Sequence, residues 1–253
     1  MSAVELYFGE LVGRIRALTD GELVGVYAGG SYALRAYEPG RSDLDVAVVV
    51  SAPPSRAVKE KMVAAIRHEA LPCPARGLEL VLYRFAVVRE LTVEAGFDLN
   101  LNTGAAMPFR AEFEPNGREA HWFPIDRSIL RQCGVVLSGP SPADVFASLP
   151  RRLILPLLLD SLRWHAREPA RSDDAVLNAC RSWRYAVESI WSSKPAAGAW
   201  ALARPDAPQI VAEALRARHG SARLDPAAVD SFLRTVTRKI ESVAEELTRS
   251  RPS

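Results

Sequence analysis

Two short motifs, close together in the sequence, combine residue types that can bind a phosphate group and a divalent cation. Gly30 and Ser31 follow an apolar segment that predicts a strand, and they would open a short helix. Asp43 and Asp45 precede a second apolar run, and side chains two residues apart on a strand point to the same face. Two adjacent carboxylates repel unless a cation lies between them, and oxygen ligands suit Mg²⁺ that also contacts substrate phosphates. The bare Gly30 lets a phosphate approach the backbone, and the Ser31 hydroxyl can donate to it. We therefore predict that a nucleoside triphosphate and its metal bind here for phosphoryl or nucleotidyl transfer, the alternative being a solvated turn before an Asp-capped strand.

A third acidic residue, Glu79, lies in the apolar segment 77–85, which predicts the next strand. Alternation along this strand places Glu79 on the same face as Val81 and Tyr83. An unpaired carboxylate in a buried strand is costly, so metal, solvent or a proton donor must lie beside it. One strand beyond the aspartates, Glu79 suits a base that removes a proton from an attacking hydroxyl. The alternative is a glutamate on an edge strand that faces water.

The pattern of apolar residues divides the chain into two parts. Residues 1–140 alternate predicted helices (3–18, 55–70 and 126–132, the last capped by Asp126) with predicted strands (23–28, 45–50, 77–85 and 98–102). From residue 141 the pattern predicts helices only, at 142–165, 172–191, 195–203, 208–217 and 225–247. We therefore predict an α+β domain (1–140), with a mixed sheet and flanking helices, followed by an all-α helical-bundle domain (141–253).

The composition narrows the class of protein. The 253 residues include 32 basic and 30 acidic ones, a net charge of +2 that provides no long-range attraction for nucleic acid. Cys73, Cys133 and Cys180 are odd in number and far apart, which favours buried thiols in a reducing compartment over a disulfide framework or a zinc site. No apolar run approaches the roughly 20 residues of a membrane span, and no signal-peptide pattern opens the chain. We expect a cytoplasmic monomer with neither nucleic-acid nor membrane partners.

The Gly-Ser and Ser-Asp-Leu-Asp motifs together resemble the signature of the DNA polymerase β-like nucleotidyltransferase superfamily. Nearly end to end, the chain resembles one group within it, the streptomycin/spectinomycin adenylyltransferases, which are aminoglycoside nucleotidyltransferases. The segments that carry this resemblance are 30–31, 42–45, 78–80, 125–130, 136–140, 178–183 and 193–200. The resemblance implies a catalytic nucleotidyltransferase domain followed by the helical domain.

The resemblance also implies roles for individual residues. Asp43 and Asp45 would bind Mg²⁺, and Glu79 would be the catalytic base. The residues implied in binding ATP are Gly30, Ser31, Ser42, Arg181, Lys194 and His219, the last near the position where the family has a tyrosine that stacks on adenine. Cations are needed there because a triphosphate carries about four negative charges, which two aspartates alone would repel.

The chain differs from the family members that act on streptomycin in the residues that would bind the acceptor. Family members that act on streptomycin have a tryptophan after the third strand and an aspartate before the helix of the phosphate-binding arginine. This chain has no tryptophan in residues 97–103 and has Glu168 but no aspartate in residues 167–171. Relatives limited to spectinomycin lack the same pair, so spectinomycin or another aminocyclitol is the favoured acceptor. Candidate substrate-binding residues are Asn100, Asp173 and Asp174, although acids in the first turn of a helix also stabilise its dipole.

The expected reaction is Mg²⁺-dependent transfer of AMP from ATP to a hydroxyl of an aminocyclitol or aminoglycoside antibiotic, with release of pyrophosphate. The bulky anion added would stop the drug fitting its ribosomal site, which would confer antibiotic resistance. One alternative keeps the chemistry and changes the acceptor to another amino sugar or to a protein. A second alternative is a non-catalytic nucleotide-binding regulator, which would have no need of Glu79.

Overall fold

The computed structural model of the chain describes residues 1–117, 119–167, 172–205, 208–220 and 223–249. It separates into two compact units, Met1–Leu149 and Pro150–Ser253. The boundary predicted after residue 140 precedes this division, because Val145 and Phe146 are buried in the apolar core of unit 1. As predicted, an α+β unit with a mixed sheet is followed by a helical unit.

Unit 1 contains six helices and six strands within its described residues. In chain order these are α1 (Ala3–Leu18), β1 (Leu23–Ala28), α2 (Gly30–Ala33), β2 (Leu44–Val50), α3 (Arg56–Ile66), β3 (Leu78–Arg84), α4 (Phe85–Arg89), β4 (Phe97–Gly104), β5 (Met107–Glu112), α5 (Trp122–Cys133), β6 (Val135–Ser138) and α6 (Pro142–Val145).

The six strands form a single sheet in the order β5-β4-β3-β2-β1-β6. The β2 and β3 strands run parallel, and every other neighbouring pair is antiparallel. A parallel pair requires a crossover connection, and α3 provides it between β2 and β3. This parallel pair carries the predicted acidic residues at its amino-terminal end.

Both faces of the sheet are covered by apolar side chains. On one face, Val46 and Val48 of β2 pack in a cluster with Leu11 of α1 and Met62 of α3. On the opposite face, Tyr27 and Tyr83 pack in a second cluster with residues of α5 and α6. Side chains alternate between the two clusters along each central strand, which explains why β1, β2 and β3 are almost continuously apolar.

Several predicted boundaries were wrong, for local reasons. The α5 helix begins at Trp122, so Asp126 lies inside the helix and is not its cap; Phe123 is buried against Phe97 and extends the helix toward its amino end. The α3 helix ends at Ile66, because Arg67 has extended backbone angles. The strands β5 and β6 were missed, since both lie at an edge of the sheet and most of their side chains are exposed or only partly buried.

Unit 2 contains helices only in its described part. They are α7 (Arg151–Arg167), α8 (Asp173–Glu188), α9 (Lys194–Leu202), α10 (Gln209–Ala217) and α11 (Pro226–Arg249). The helix predicted at 142–165 is divided between α6 and α7, because Phe146 is extended and Pro150 disfavours helical angles at Leu149 before it. Of the helices in the described part of the chain, none combines the length and the apolar character that a membrane span requires.

Candidate active site

The register of the parallel strands brings two predicted acidic residues side by side. Asp45 of β2 lies directly opposite Glu79 of β3, and Ala47 lies opposite Val81 two residues further on. All four side chains project to the same face, the one that carries the second apolar cluster. Asp43 comes directly before β2, at the same end of the sheet. The strand pairing therefore builds the acidic group that the sequence predicts.

The glycine pair after β1 lies against Asp45. The amide of Gly29 donates to the Asp45 carbonyl oxygen at 2.8 Å, which fixes the turn to β2. Gly30 has a φ of +49°, and a Cβ at this position would overlap the Asp45 carboxylate. Only glycine therefore combines this backbone conformation with so close an approach to the carboxylate.

The two serines predicted at the phosphates have different surroundings. The Ser31 Oγ is buried and has no hydrogen-bond partner among the described residues, an arrangement that is costly unless a ligand supplies one. Ser42 is buried, and its Oγ accepts from the amide of Glu38 at 3.0 Å, closing the loop before β2. The geometry thus supports a ligand contact at Ser31, whereas the Ser42 Oγ already accepts one bond from the loop and has its O–H group left to donate.

Arg76 is a charged neighbour of the site that the sequence reasoning missed. Its Nη2 lies 2.8 Å from the Asp43 Oδ2, and the Asp43 side chain is one-quarter exposed. The two residues are far apart in the sequence, and the loop before β3 brings them together through a hydrogen bond from the Arg76 amide to the Ser42 carbonyl. Arg76 therefore offsets part of the negative charge of the acidic group.

Burial and neighbouring charges raise the pKa of Glu79 to about 8. Burial is the largest cause, followed by the charges of Asp45, Asp43 and Asp126, while Arg76 acts in the opposite direction. The Glu79 carboxyl therefore holds a proton at neutral pH when no cation is present. Asp126, an exposed residue of α5, is thus a further acid near the site, and its presence in the matching segment 125–130 was the available sequence signal.

This donor set fits a Mg²⁺ ion that is shared with a substrate. Among the described residues, no group of three or more His, Cys, Asp or Glu side chains is arranged to enclose a metal ion. Mg²⁺ typically takes one or two protein carboxylates and completes its octahedral shell with water and phosphate oxygens. Asp43 and Asp45 would supply those carboxylates. A cation bound to them would also reduce the repulsion between their charges and Glu79, which contributes to the raised pKa of Glu79.

A row of polar residues continues from Glu79 across the sheet. Asn102 of β4 lies opposite Glu79 and donates from Nδ2 to its Oε1 at 3.5 Å, and Arg110 of β5 lies opposite Asn102. Asn100, predicted to bind the substrate, is 9% exposed and donates to Glu112 Oε2 at 3.0 Å. Asn100 therefore supports the sheet edge in this structure, and Asn102 is the amide that contacts the predicted base.

The predicted residues of unit 2 gather on one side of α8. Asp174 and Arg181 lie on it at helical spacing, with Asn178, for which no role was predicted, between them. The Lys194 Nζ lies 3.0 Å from the Asp174 Oδ1, and an Nη1 of the buried Arg218 lies 3.9 Å from the same oxygen. Asp174 was expected to bind the substrate, but in this structure its carboxylate pairs with these two cations.

The remaining predicted residues are less closely placed. Asp173 lies in the first turn of α8, and His219 is exposed, two residues after the end of α10. Glu168 lies outside the described residues. Arg218, next to His219, is a cation that the sequence reasoning missed, and its burial in a run of alanine and arginine residues carries no local signal.

Comparisons with known proteins follow this division into two units. Residues 11–99 match the family model described as Nucleotidyltransferase domain. Residues 144–242 match the model described as Aminoglycoside adenylyltransferase, C-terminal domain. Between them the two matches cover most of the chain.

A solved structure has the same fold. The crystal structure of spectinomycin adenyltransferase AAD(9) from Enterococcus faecialis, with ATP and spectinomycin, matches with a TM-score of 0.64 and 16% sequence identity. The match covers 92% of this chain and 99% of the other. None of the curated proteins compared with the chain matches it significantly.

Proposed function

The chain belongs to the aminoglycoside adenylyltransferase family, and we propose that this nucleotidyltransferase moves AMP from ATP to a hydroxyl of an aminocyclitol antibiotic. The observation that carries the proposal is the pairing of Asp45 with Glu79, beside the close turn at Gly30 and the buried Ser31 hydroxyl. These groups combine a metal-binding carboxylate, a base and a phosphate contact within one end of the sheet.

In the proposed reaction, Glu79 accepts the proton of the acceptor hydroxyl. The hydroxyl oxygen forms a bond to the α-phosphorus of ATP, and the bond from that phosphorus to the bridging oxygen breaks, so that pyrophosphate leaves with the electron pair. Mg²⁺ held by Asp43 and Asp45 would neutralise phosphate charge and favour the ionised form of Glu79. Glu79 therefore becomes a base in the loaded site and stays protonated in the empty one.

The proposed nucleotide contacts differ in how far the structure supports them. Gly30 leaves room for a phosphate, and Ser31 has a buried hydroxyl without a partner among the described residues. We assign phosphate binding also to Arg181 and Lys194, as the family resemblance implies, because cations must offset the triphosphate. The Ser42 Oγ accepts from the Glu38 amide, which leaves its O–H group able to donate to a phosphate, and we propose that contact too. The proposal for His219 has less support, since His219 is exposed.

Spectinomycin is the proposed acceptor in preference to streptomycin. The β4 strand and its neighbours contain no tryptophan, and the solved structure of similar fold is of an enzyme named for spectinomycin. Asp126 and Asp173 are anionic groups that could attract the ammonium groups of such a drug. An acceptor of the same chemistry, another amino sugar, is the second candidate, because Asn100 is tied to Glu112 and offers no exposed anchor. A protein acceptor and a non-catalytic regulator remain without a supporting observation, and an intact Glu79 argues against the regulator.

Three free cysteines, Cys73, Cys133 and Cys180, accord with the proposal that the enzyme works in the reducing cytoplasm. The expectation of a monomer stays a prediction.

The test is mass spectrometry of spectinomycin and streptomycin after incubation with the protein, ATP and Mg²⁺. The proposal expects the mass of AMP to be added to spectinomycin alone. Asp45→Asn should abolish the product, whereas the matched control Asp160→Asn, at an exposed surface pair with Arg163, should leave it unchanged. ATP binding without any drug product would refute the acceptor assignment and favour another amino sugar.

A further inference from the structure

Arg181 is held in unit 2 by a short chain of hydrogen bonds that ends at a buried histidine. The Arg181 Nη1 donates to the Asn178 Oδ1 at 3.2 Å, one turn earlier on α8. The Asn178 Nδ2 lies 3.1 Å from the Nε2 of His165 on α7, and His165 is 6% exposed. Two helices thus contribute to the surroundings of this guanidinium.

The chemistry of the three groups fixes the direction of every bond in this chain. A guanidinium can only donate, so the Asn178 side chain must turn its oxygen toward Arg181. Its NH₂ group then faces His165, and because NH₂ can only donate, the Nε2 of His165 must accept. The imidazole is therefore neutral, with its proton on Nδ1. A rotation of the Asn178 amide would present NH₂ to the guanidinium and break the contact.

We propose that Asn178 and His165 are positioning residues, which hold the Arg181 guanidinium in the orientation that binds a phosphate of the nucleotide. This inference rests on the role proposed above for Arg181. An arginine side chain loses rotamer entropy when it is ordered, and a hydrogen bond made before the ligand arrives removes part of that cost from binding. Neither positioning residue needs to touch ATP.

Asn178 is suited to this role because an amide has both an acceptor and a donor. The oxygen accepts from Arg181 and the nitrogen donates to His165, and a side chain that can only accept or only donate cannot do both. The same helix holds the second proposed phosphate-binding cation differently, since the Asp174 carboxylate pairs directly with Lys194. The α8 helix thus carries a partner for each cation on one side.

The experiment compares two substitutions of similar size at Asn178. Asn178→Leu removes both hydrogen bonds, and we expect the KM for ATP to rise roughly tenfold with a smaller change in kcat, the effect of losing a hydrogen bond to a charged group. Asn178→Gln keeps an uncharged amide that can accept from Arg181 and donate to His165, so the KM for ATP should rise clearly less than in Asn178→Leu. Equal damage by both variants would refute the positioning role.

A double-mutant cycle with Arg181→Met separates positioning from general packing. In the Arg181→Met background, Asn178→Leu and His165→Phe should cause no further rise in the KM for ATP. Effects that add in full would mean that the two residues act on the fold and not through Arg181. Val187→Ala, an exposed position at the other end of α8, is the control that should change neither constant.

Direct titration of ATP binding to the same variants needs no acceptor and distinguishes the two proposals. Binding that shows the coupling, without transfer to any drug, would sustain the positioning role and refute the proposed reaction. Transfer by the wild type together with an additive cycle would refute the positioning role alone. A wild type that does not bind ATP would overturn both.

Discussion

Removal of the Glu79 charge should stabilise the metal-free protein at alkaline pH. In the unfolded chain a glutamate ionises near its ordinary pKa of 4.5, whereas burial and the nearby aspartates raise the pKa of Glu79 to about 8 in the folded protein. Between these two values the folded state binds the extra proton, so the free energy of unfolding falls as the pH rises. Glu79→Gln cannot ionise and should lack this loss.

The size of the effect follows from the pKa difference. Each pKa unit corresponds to about 1.4 kcal/mol, which sets an upper bound of about 4–5 kcal/mol at pH 8 and above. The side chain is partly accessible to solvent, so we expect about 2 kcal/mol. For a chain of this size, the melting temperature of Glu79→Gln should therefore be roughly 4–8 °C above that of wild type at pH 8. Below about pH 4.5 the two melting temperatures should not differ.

Thermal unfolding followed by circular dichroism, with a chelator present, measures this difference from pH 4.5 to 8.5. Glu60→Gln, on the exposed surface of α3, is the matched control and should follow the wild-type pH dependence. Excess Mg²⁺ should flatten the wild-type curve, because a cation at Asp43 and Asp45 favours ionised Glu79. The reasoning is refuted if Glu79→Gln and wild type lose stability in parallel as the pH rises.

Three further predictions concern the surroundings of the proposed site. Gly30→Ala should reduce nucleotidyl transfer more than about 100-fold, because its Cβ would displace the Asp45 carboxylate. The control Gly29→Ala, whose Cβ would lie 3.2 Å from the Leu130 side chain, should retain most activity. Equal kcat values for the two variants would contradict this prediction. Arg76→Met should lower the Mg²⁺ concentration for half-maximal activity about two- to fivefold, since it removes the guanidinium that competes with Mg²⁺ for Asp43. A metal titration in which the variant needs more Mg²⁺ than wild type would exclude this competition. Asp174→Asn should raise the KM for ATP about fivefold and leave that for spectinomycin unchanged, because a neutral amide holds the Lys194 ammonium less firmly than the carboxylate does. A selective rise in the KM for spectinomycin would restore Asp174 as a substrate anchor.

Much of unit 1 could be predicted because its signals are local. The first helix has a capping box between Ser2 and Glu5 and one apolar face, and its predicted bounds were confirmed. The strands β1, β2 and β3 are apolar runs between glycine-containing or proline-containing loops. The position of Glu79 on the same face as Val81 followed from alternation alone.

Residues that act through pairing across the sheet could not be predicted in the same way. Asn102 faces Glu79 only because β3 and β4 pair antiparallel in one particular register. The ion pair of Arg76 with Asp43 depends on a loop conformation that no residue pattern specifies. The β6 strand exists because β1 offers it an edge, and it is too short to show alternation of its own.

In unit 2 the sequence predicted most of the helices, but not the contacts of their polar faces. The spacing of Asp174, Asn178 and Arg181 on α8 is visible in the sequence. Their partners are on other helices: His165 on α7, Lys194 at the start of α9 and Arg218 directly after α10. Helix periodicity determines which residues lie on the same face of a helix, whereas the packing of the helices determines which residues of other helices that face contacts.

The charged groups proposed to bind metal and nucleotide already have partners in the ligand-free protein. Asp43 pairs with Arg76, and Lys194 pairs with Asp174, each within its own unit. Ligand binding at such groups exchanges one ion pair for another, which yields less affinity than the neutralisation of a bare charge but keeps each side chain in place. The partners differ in what the substitution does: loss of Arg76 leaves Asp43 more available to a cation, whereas loss of the Asp174 charge leaves Lys194 less firmly oriented. Opposite signs in the Arg76→Met and Asp174→Asn experiments would therefore identify one partner as a competitor and the other as a positioning group.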